Sequence, residues 1–218
     1  MISHSHHGAT ASLALAADLD QCRAGFGALL ARADLPAVAA AEVAKHYAEP
    51  HRAYHDTAHV GLLWLRHLMH GGDAGDRDLA LAILFHDAIY DPMARDNEAR
   101  SAELLGRVMP GDTGWPQQAI LATADHLAYS GEDCRIARLL DLDLTPLAEA
   151  PDVFARNTRL LRREYTAVSE PAWRNGRRAV LQRFAAAEPL FRTRLGAIYE
   201  APARANLTAE IAALSVAA

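Results

Sequence analysis

The sequence predicts an all-α protein, a compact bundle of about nine or ten helices. Its composition is 51% apolar with only 6% aromatic residues, and alanine and leucine, which lose least on entering a helix, make up most of the excess. Apolar residues recur at helical spacing, and no stretch alternates as a half-buried strand does. The 218 residues are enough to bury a core, so we expect one domain over residues 1–218.

Proline, glycine and aspartate mark the expected helix boundaries in order along the chain. Pro36 and Pro116 suit a first helical position, and Asp96 suits an N-cap with Glu98 in the first turn that follows. Residues 79–90 are apolar around almost the whole helical circumference, which predicts a central helix. The main breakers are residues 34–36, 71–75, 110–114 and 145–146, then Pro151, Pro171 and Pro189.

Charge and cysteine content exclude several classes of protein. A formal net charge of -5 and a pI near 6.1 argue against broad binding to nucleic-acid polymers or anionic membranes. Cys22 and Cys134 are far apart, which favours reduced thiols and a cytoplasmic setting. No Lys or Arg precedes the apolar residues 9–17, unlike a signal peptide, and no run reaches the ~18 apolar residues of a membrane span.

The adjacent pair His86 and Asp87 is the most informative feature of the sequence. All eleven histidines lie at or before His126, and this pair falls inside the most apolar segment. Burying an unpaired carboxylate costs several kcal/mol, so Asp87 needs a cation, a network of donors or a shifted pKa. A divalent metal bound by both side chains meets this need, and a buried hydrogen-bonded pair is the alternative.

Two further segments offer ligands for such a metal. His55 and His59 are four residues apart and share a face of a helix, although Asp56 stands where the zinc-protease motif has Glu. Asp141 and Asp143 lie among leucines, where a carboxylate again needs a partner. The histidines within residues 3–7 are better explained as a polar terminus and are left out of the site.

These residues belong to an ordered set of short motifs, which are Arg52-x-Tyr54-His55-x-x-x-His59, Phe85-His86-Asp87-x-x-Tyr90, Asp96-Asn97-Glu98-x-x-Ser101-Ala102, Thr123-x-x-His126, Asp141-x-Asp143-Leu144 and Arg162-x-Glu164-Tyr165. In this order, the motifs resemble the HD superfamily of metal-dependent phosphohydrolases, in particular an uncharacterised bacterial branch predicted to be phosphohydrolases. The resemblance spans residues 52–165, and the part of the domain that carries the metal site is expected at about residues 50–165, with the N- and C-terminal helices packed on it.

The resemblance implies a metal site and a set of catalytic roles. Its metal ligands would be His59, His86, Asp87 and Asp143, with Asp141 behind them or in place of Asp143. A mixed nitrogen and oxygen site suits Mn, Fe, Co, Ni, Mg or Zn. The catalytic residues would be His55, which protonates the leaving oxygen as in the similar cyclic-nucleotide phosphodiesterases, together with Arg52 and Asp87.

Other residues have two interpretations each. Arg52, Arg162 and Arg163 can offer forked donors to phosphate oxygens, or the last two can belong to a solvated basic helix face. Glu98 and His126 can bind a second metal, or they can serve as a helix-start carboxylate and as an orienting group behind a ligand.

The activity expected from the resemblance is hydrolysis of a phosphate ester or anhydride of a nucleotide or another small metabolite. The alternatives are a di-iron oxygenase on the same scaffold and a non-catalytic nucleotide-binding sensor. Tyr90-Asp91-Pro92 stands where some signalling branches have a lysine, so the substrate class does not transfer. The C-terminal helices are expected to serve for packing or for a homodimer, with these aromatic residues in the core: Trp173, Phe184, Phe191 and Tyr199.

Overall fold

The computed structural model describes residues 18–216, and all regular secondary structure within them is helical. This confirms the predicted all-α fold. The histidine-rich residues 3–7 and the apolar residues 9–17 lie outside the described part. The ten α-helices are α1 (Leu19–Ala33), α2 (Ala37–Tyr47), α3 (Thr57–Met69), α4 (Arg77–Phe85), α5 (Asn97–Val108), α6 (Gly114–Ala122), α7 (Cys134–Leu144), α8 (Pro151–Glu164), α9 (Glu170–Ala186) and α10 (Gly196–Val216), with 3-10 helices at Thr123–Asp125 and Thr145–Ala148.

Helix α4 is the centre of the fold, as its apolar sequence predicts. Every residue from Leu79 to Phe85 is buried, and α1, α3, α6 and α7 all pack against this helix. Burial of each large apolar side chain contributes about 1.5–3 kcal/mol. The Asp76 side chain accepts a hydrogen bond from Leu79 N at 3.0 Å and caps the start of the helix.

The central helix ends at Phe85, earlier than the expected end at residue 90. Beyond Phe85, the N–H groups of Ile89 and Asp91 bond the side chains of Ser101 and Asn97 instead of helical carbonyls, and Pro92 has no N–H. Arg52 instead donates to the carbonyl oxygens of Asp87 at 2.7 Å and of Ala88 at 2.8 Å. His86 and Asp87 therefore stand at a helix terminus rather than within a helix.

Two other helix starts differ in detail from the sequence prediction. Helix α5 begins after Asp96 as expected, but the Asp96 side chain makes no capping hydrogen bond. The Asn97 side chain bonds both the N–H and the carbonyl of Asp91, at 3.0 and 2.8 Å, and so closes the preceding loop. Pro116 lies inside the first turn of α6, which begins at Gly114, whereas α2 does begin directly after Pro36.

Helices α1 and α3 cross at a pair of glycines. A Cβ on Gly25 would lie 2.7 Å from the Gly61 carbonyl oxygen, and a Cβ on Gly61 would overlap the carbonyl of Cys22. Only glycine permits two backbones to come this close. The crossing fixes α3, the helix that carries His59, against the core.

The C-terminal helices α9 and α10 pack on each other, and α10 also covers the 3-10 helix at Thr145–Ala148. Phe191 and Tyr199 are buried, as expected of core residues. Trp173 and Phe184 are only half-buried, so the prediction that they lie in the core is confirmed only in part. Within residues 18–216, no helix combines the length and the apolar character needed to cross a membrane.

Candidate metal centre

Four side chains from three segments converge beside the central helix. His59 comes from the first turn of α3, His86 and Asp87 follow the end of α4, and Asp143 lies on α7. The His59 Nε2 atom is 3.2 Å from Asp143 Oδ1 and 3.7 Å from Asp87 Oδ2. The His86 Nε2 atom is 3.0 Å from Asp87 Oδ2 and 3.6 Å from Asp143 Oδ1. The structure thus brings together all four ligands that the resemblance implies.

The ring nitrogens at the centre of this cluster have no hydrogen-bond partner among the described residues. Both ring nitrogens of His59 and the Nε2 atom of His86 are buried without a well-formed hydrogen bond, despite the nearby carboxylates. Buried polar atoms almost always have a partner. Ligand atoms of His59, His86 and Asp143 lie within 4.8 Å of one another, so these three residues can hold a metal ion.

Hydrogen bonds behind the ligands fix their orientation. His86 Nδ1 lies 2.8 Å from the Ile83 carbonyl oxygen. Because a carbonyl only accepts, Nδ1 carries the hydrogen and the Nε2 lone pair is left for a cation. His126 Nε2 lies 2.8 Å from Asp143 Oδ2, so the other oxygen of this carboxylate faces the two imidazoles. His126 is therefore placed as an orienting group for Asp143.

The electrostatics of the cluster favour positive charge. Burial alone lowers the pKa of His86, but the carboxylates of Asp87 and Asp143 outweigh it and raise that pKa well above its ordinary value. Burial likewise raises the pKa of Asp143, yet His86 and the other histidines around it bring that pKa well below its ordinary value. A potential that holds a proton on a buried imidazole also attracts a metal cation.

A second group of polar side chains adjoins the cluster. Glu164, the last residue of α8, accepts hydrogen bonds from the backbone N–H groups of Ala53, Tyr54 and His55 with one oxygen. Its other oxygen lies 2.7 Å from His55 Nδ1 and accepts from the Tyr90 hydroxyl at 3.0 Å. This buried carboxylate therefore fixes both the loop before α3 and the imidazole of His55.

The cluster opens onto a polar cavity of about 420 Å³, which we call the metal-site cavity. A volume in the range of about 300–1,000 Å³ is usual for small-molecule sites. The residues that bear on its chemistry are His55, Asp87, Tyr90, Arg95, Glu98, His126, Asp143 and Tyr165.

No family model, curated protein or solved structure matches the chain. The HD resemblance therefore stays a prediction that rests on the motifs in the sequence.

The structure places Asp141, a possible ligand in the sequence, away from the metal cluster. Asp141 lies only two residues before Asp143 on α7, but it faces the segment before α10. Its carboxylate accepts from Arg192 N at 2.9 Å and from the N–H and hydroxyl of Thr193 at 2.7 and 2.6 Å. Asp143, not Asp141, is thus the carboxylate of α7 that joins the histidines.

The three arginines that were candidates for phosphate binding also lie elsewhere. The buried guanidinium of Arg52 donates to Glu49 and to the carbonyls of His55, Asp87 and Ala88. Arg162 is bound to Glu170 and to two backbone carbonyls beyond the end of α8. Arg163 is exposed and does not line the metal-site cavity.

Sequence reasoning gave no role to three residues that the structure brings to the site. Glu164 stands in an arginine-rich stretch that has the pattern of a solvated helix face, whereas in the structure its exposure is only 6%. Tyr90 closes the motif Phe85-His86-Asp87-x-x-Tyr90, and the sequence indicates no role for it. Arg95 lies at the exposed edge of the metal-site cavity, and nothing in the spacing of the sequence singles it out.

Proposed function

We propose that this protein is a metal-dependent phosphohydrolase that acts on a small phosphorylated metabolite, such as a nucleotide. The observation that carries the proposal is a group of buried imidazole nitrogens that face two carboxylates without a well-formed hydrogen bond, at the wall of a polar cavity. His59, His86, Asp87 and Asp143 would hold the ion. When bound, a divalent ion in such a site acts as a Lewis acid and lowers the pKa of water towards about 7.

His55 is the proposed proton donor. Its Nδ1 atom is held by Glu164, which leaves Nε2 to exchange a proton with the leaving oxygen. Burial lowers the pKa of His55, but the hydrogen bond to Glu164 and the charge of Asp87 outweigh burial, and the pKa is raised. The raised pKa favours the protonated imidazole, which is the form that a general acid needs.

Arg95 is the proposed phosphate contact of the protein. It lines the same cavity as Asp87 and Asp143, and their negative charge would otherwise oppose the entry of a phosphate. A forked guanidinium donor offsets that repulsion and suits phosphate oxygens. Arg52, by contrast, acts behind the site, where it holds the carbonyls on either side of the cluster.

Metal content measured by mass spectrometry, together with release of phosphate from a substrate panel supplied with Mn, Mg, Co or Ni, tests the proposal. We expect about one ion per chain in the wild type, as one ligand cluster implies. The Asp87→Asn variant should lose both the ion and the activity. Asp152→Asn, the same change at an exposed position of α8, is the control and should retain both.

Three outcomes would contradict the proposal in different ways. Full activity of Asp87→Asn, or no metal under any supplement, would refute the metal site itself. Two irons per chain with consumption of oxygen would identify an oxygenase, in which Glu98 and His126, both in the same cavity, would have to bind the second iron. Metal-dependent binding of nucleotides without turnover would identify a sensor.

A further inference from the structure

The wall of the metal-site cavity carries more acidic than basic side chains. The charged groups and histidines that line it among the described residues are Asp87, Asp91, Glu98 and Asp143, together with Arg95, His55 and His126. A divalent ion, Arg95 and both histidines in their protonated form would exceed the four carboxylates by a single positive charge. A bound phosphate monoester carries about 1.5 to 2 negative charges at pH 7, so the filled cavity stays negative. This balance disfavours a second anionic group on the substrate and favours a cationic one.

Several polar side chains of the cavity are already bonded within the protein. Asn97 bonds the backbone of Asp91 with both ends of its amide. One carboxylate oxygen of Asp91 accepts from Met93 N at 2.9 Å. The Thr123 hydroxyl donates to the Ile120 carbonyl at 2.7 Å. These groups shape the cavity wall, and their hydrogen bonds are directed at the protein rather than at a ligand.

Arg95 and Glu98 differ from the other polar groups of the cavity wall. Both line the cavity, and neither has a hydrogen bond or an ion pair to another described residue. They carry opposite charges only three residues apart, yet the guanidinium and the carboxylate do not pair with each other. Glu98 is half-buried in the first turn of α5, where the helix dipole favours a negative charge. The cavity therefore offers a ligand one cationic and one anionic side chain, in addition to the metal centre.

The metal centre, Arg95 and Glu98 all border this one cavity of about 420 Å³. A volume within the range of about 300–1,000 Å³ suits a single small molecule. Three residues of chain span at most about 11 Å, so Arg95 and Glu98 act on the same end of the cavity. One small ligand with a negative and a positive group is therefore matched in both size and charge.

We infer that Glu98 binds a positively charged amino group of the substrate, whose phosphate is bound by the ion and Arg95. The inference rests on the proposed function and gives its substrate class, a phosphate monoester of an amino alcohol. A hydrogen bond between an ammonium and a carboxylate is roughly twice as strong as one between neutral groups. The ammonium group also offsets the negative charge that the phosphate brings into the cavity.

The test compares phosphoethanolamine with 2-hydroxyethyl phosphate as probes of the metal-loaded, full-length protein. The two esters have nearly the same size and differ in an ammonium group against a neutral hydroxyl. In the wild type we expect a KM and a dissociation constant about tenfold lower for phosphoethanolamine, as for one charge-assisted contact. Phosphoglycolate, which has a carboxylate at this position, should bind more weakly than either ester.

Three variants separate the contacts. Glu98→Gln should bring the KM ratio of the two esters close to one and should improve the binding of phosphoglycolate, because it removes the negative charge and keeps the shape. Glu103→Gln, the same change at an exposed position of α5, is the control and should keep the wild-type preference. Arg95→Gln should raise the KM of all three probes by a similar factor, since each of them carries the phosphate.

The possible results distinguish this inference from the proposed function. Tighter binding of phosphoethanolamine that Glu98→Gln abolishes, without any hydrolysis, would support the role of Glu98 and refute the proposed function. Hydrolysis of both esters with equal KM in the wild type and in Glu98→Gln would support the proposed function and overturn the inference. Loss of bound metal from a folded Glu98→Gln variant, measured by mass spectrometry, would make Glu98 a metal ligand and would also overturn it.

Discussion

Replacement of Glu164 by glutamine should destabilise the protein by about 3 kcal/mol at pH 7. Burial raises the pKa of this carboxyl, but its hydrogen bonds to His55 and to the backbone of the loop before α3 lower it from 4.5 to about 2. Each pKa unit corresponds to about 1.4 kcal/mol in favour of the ionised form. Because glutamine resembles the neutral carboxyl, the variant loses this contribution.

The pH dependence of the unfolding free energy follows from the same lowered pKa of Glu164. A carboxyl whose pKa is lowered by folding stabilises the native state fully above its unfolded pKa of 4.5, and this contribution is lost as the pH falls towards about 2. Unfolding free energies from urea denaturation, measured from pH 7 to pH 3, should therefore converge for the wild type and Glu164→Gln in acid.

The control is Glu103→Gln, the same change at an exposed position of α5, which should stay within about 0.5 kcal/mol of the wild type. A Glu164→Gln variant as stable as the wild type at pH 7, or a difference that does not shrink in acid, would refute this account of Glu164.

Three further predictions follow from the packing and the ligand geometry. Gly61→Ala should lower the free energy of unfolding by about 3 kcal/mol or more in urea denaturation, because its Cβ overlaps the backbone of α1. Gly27→Ala, the control, should raise it by up to about 1 kcal/mol. Equal effects of the two variants would contradict the close crossing of α1 and α3. Asp143→Asn should weaken metal binding at least about tenfold by calorimetry. Asp141→Asn should still bind the metal, and its free energy of unfolding should fall by about 1–2 kcal/mol. The reverse result would make Asp141 the ligand. Arg52→Met should cost about 3–5 kcal/mol in the same denaturation assay, because it leaves carbonyls without donors, and a neutral result would show that they find other partners.

The ligand cluster was predictable because it depends on one strong physical constraint. A His-Asp pair in an apolar segment, a second His and a carboxylate among leucines all require a partner when buried, and a shared cation would satisfy them together. The choice of His59 over His55 and of Asp143 over Asp141 rests on the family resemblance and not on this constraint. The structure does bring His59, His86, Asp87 and Asp143 to one point. The central position of α4 followed from its apolar circumference in the same way.

The roles of the arginines and of Glu164 were not predictable from spacing. Arg52 donates to the backbone carbonyls of residues 87 and 88. Every residue has a backbone carbonyl, so the residue types at these positions do not show which carbonyls accept a hydrogen bond from a side chain. Glu164 meets backbone N–H groups more than a hundred residues earlier in the chain. Such contacts depend on where a helix ends in space, which the order of residues on its surface does not determine.

The four hydrogen bonds of Arg52 also bear on the thermodynamics of ion binding. Its guanidinium connects Glu49, the loop at His55 and the backbone after His86, so two of the ligand-bearing segments are immobilised as soon as the chain folds. The chain therefore loses the conformational entropy needed to assemble the proposed ligands when it folds, and not when an ion binds. Ion binding should then proceed with little change in heat capacity or hydrogen exchange around residues 52–59 and 86–88, as for a rigid receptor.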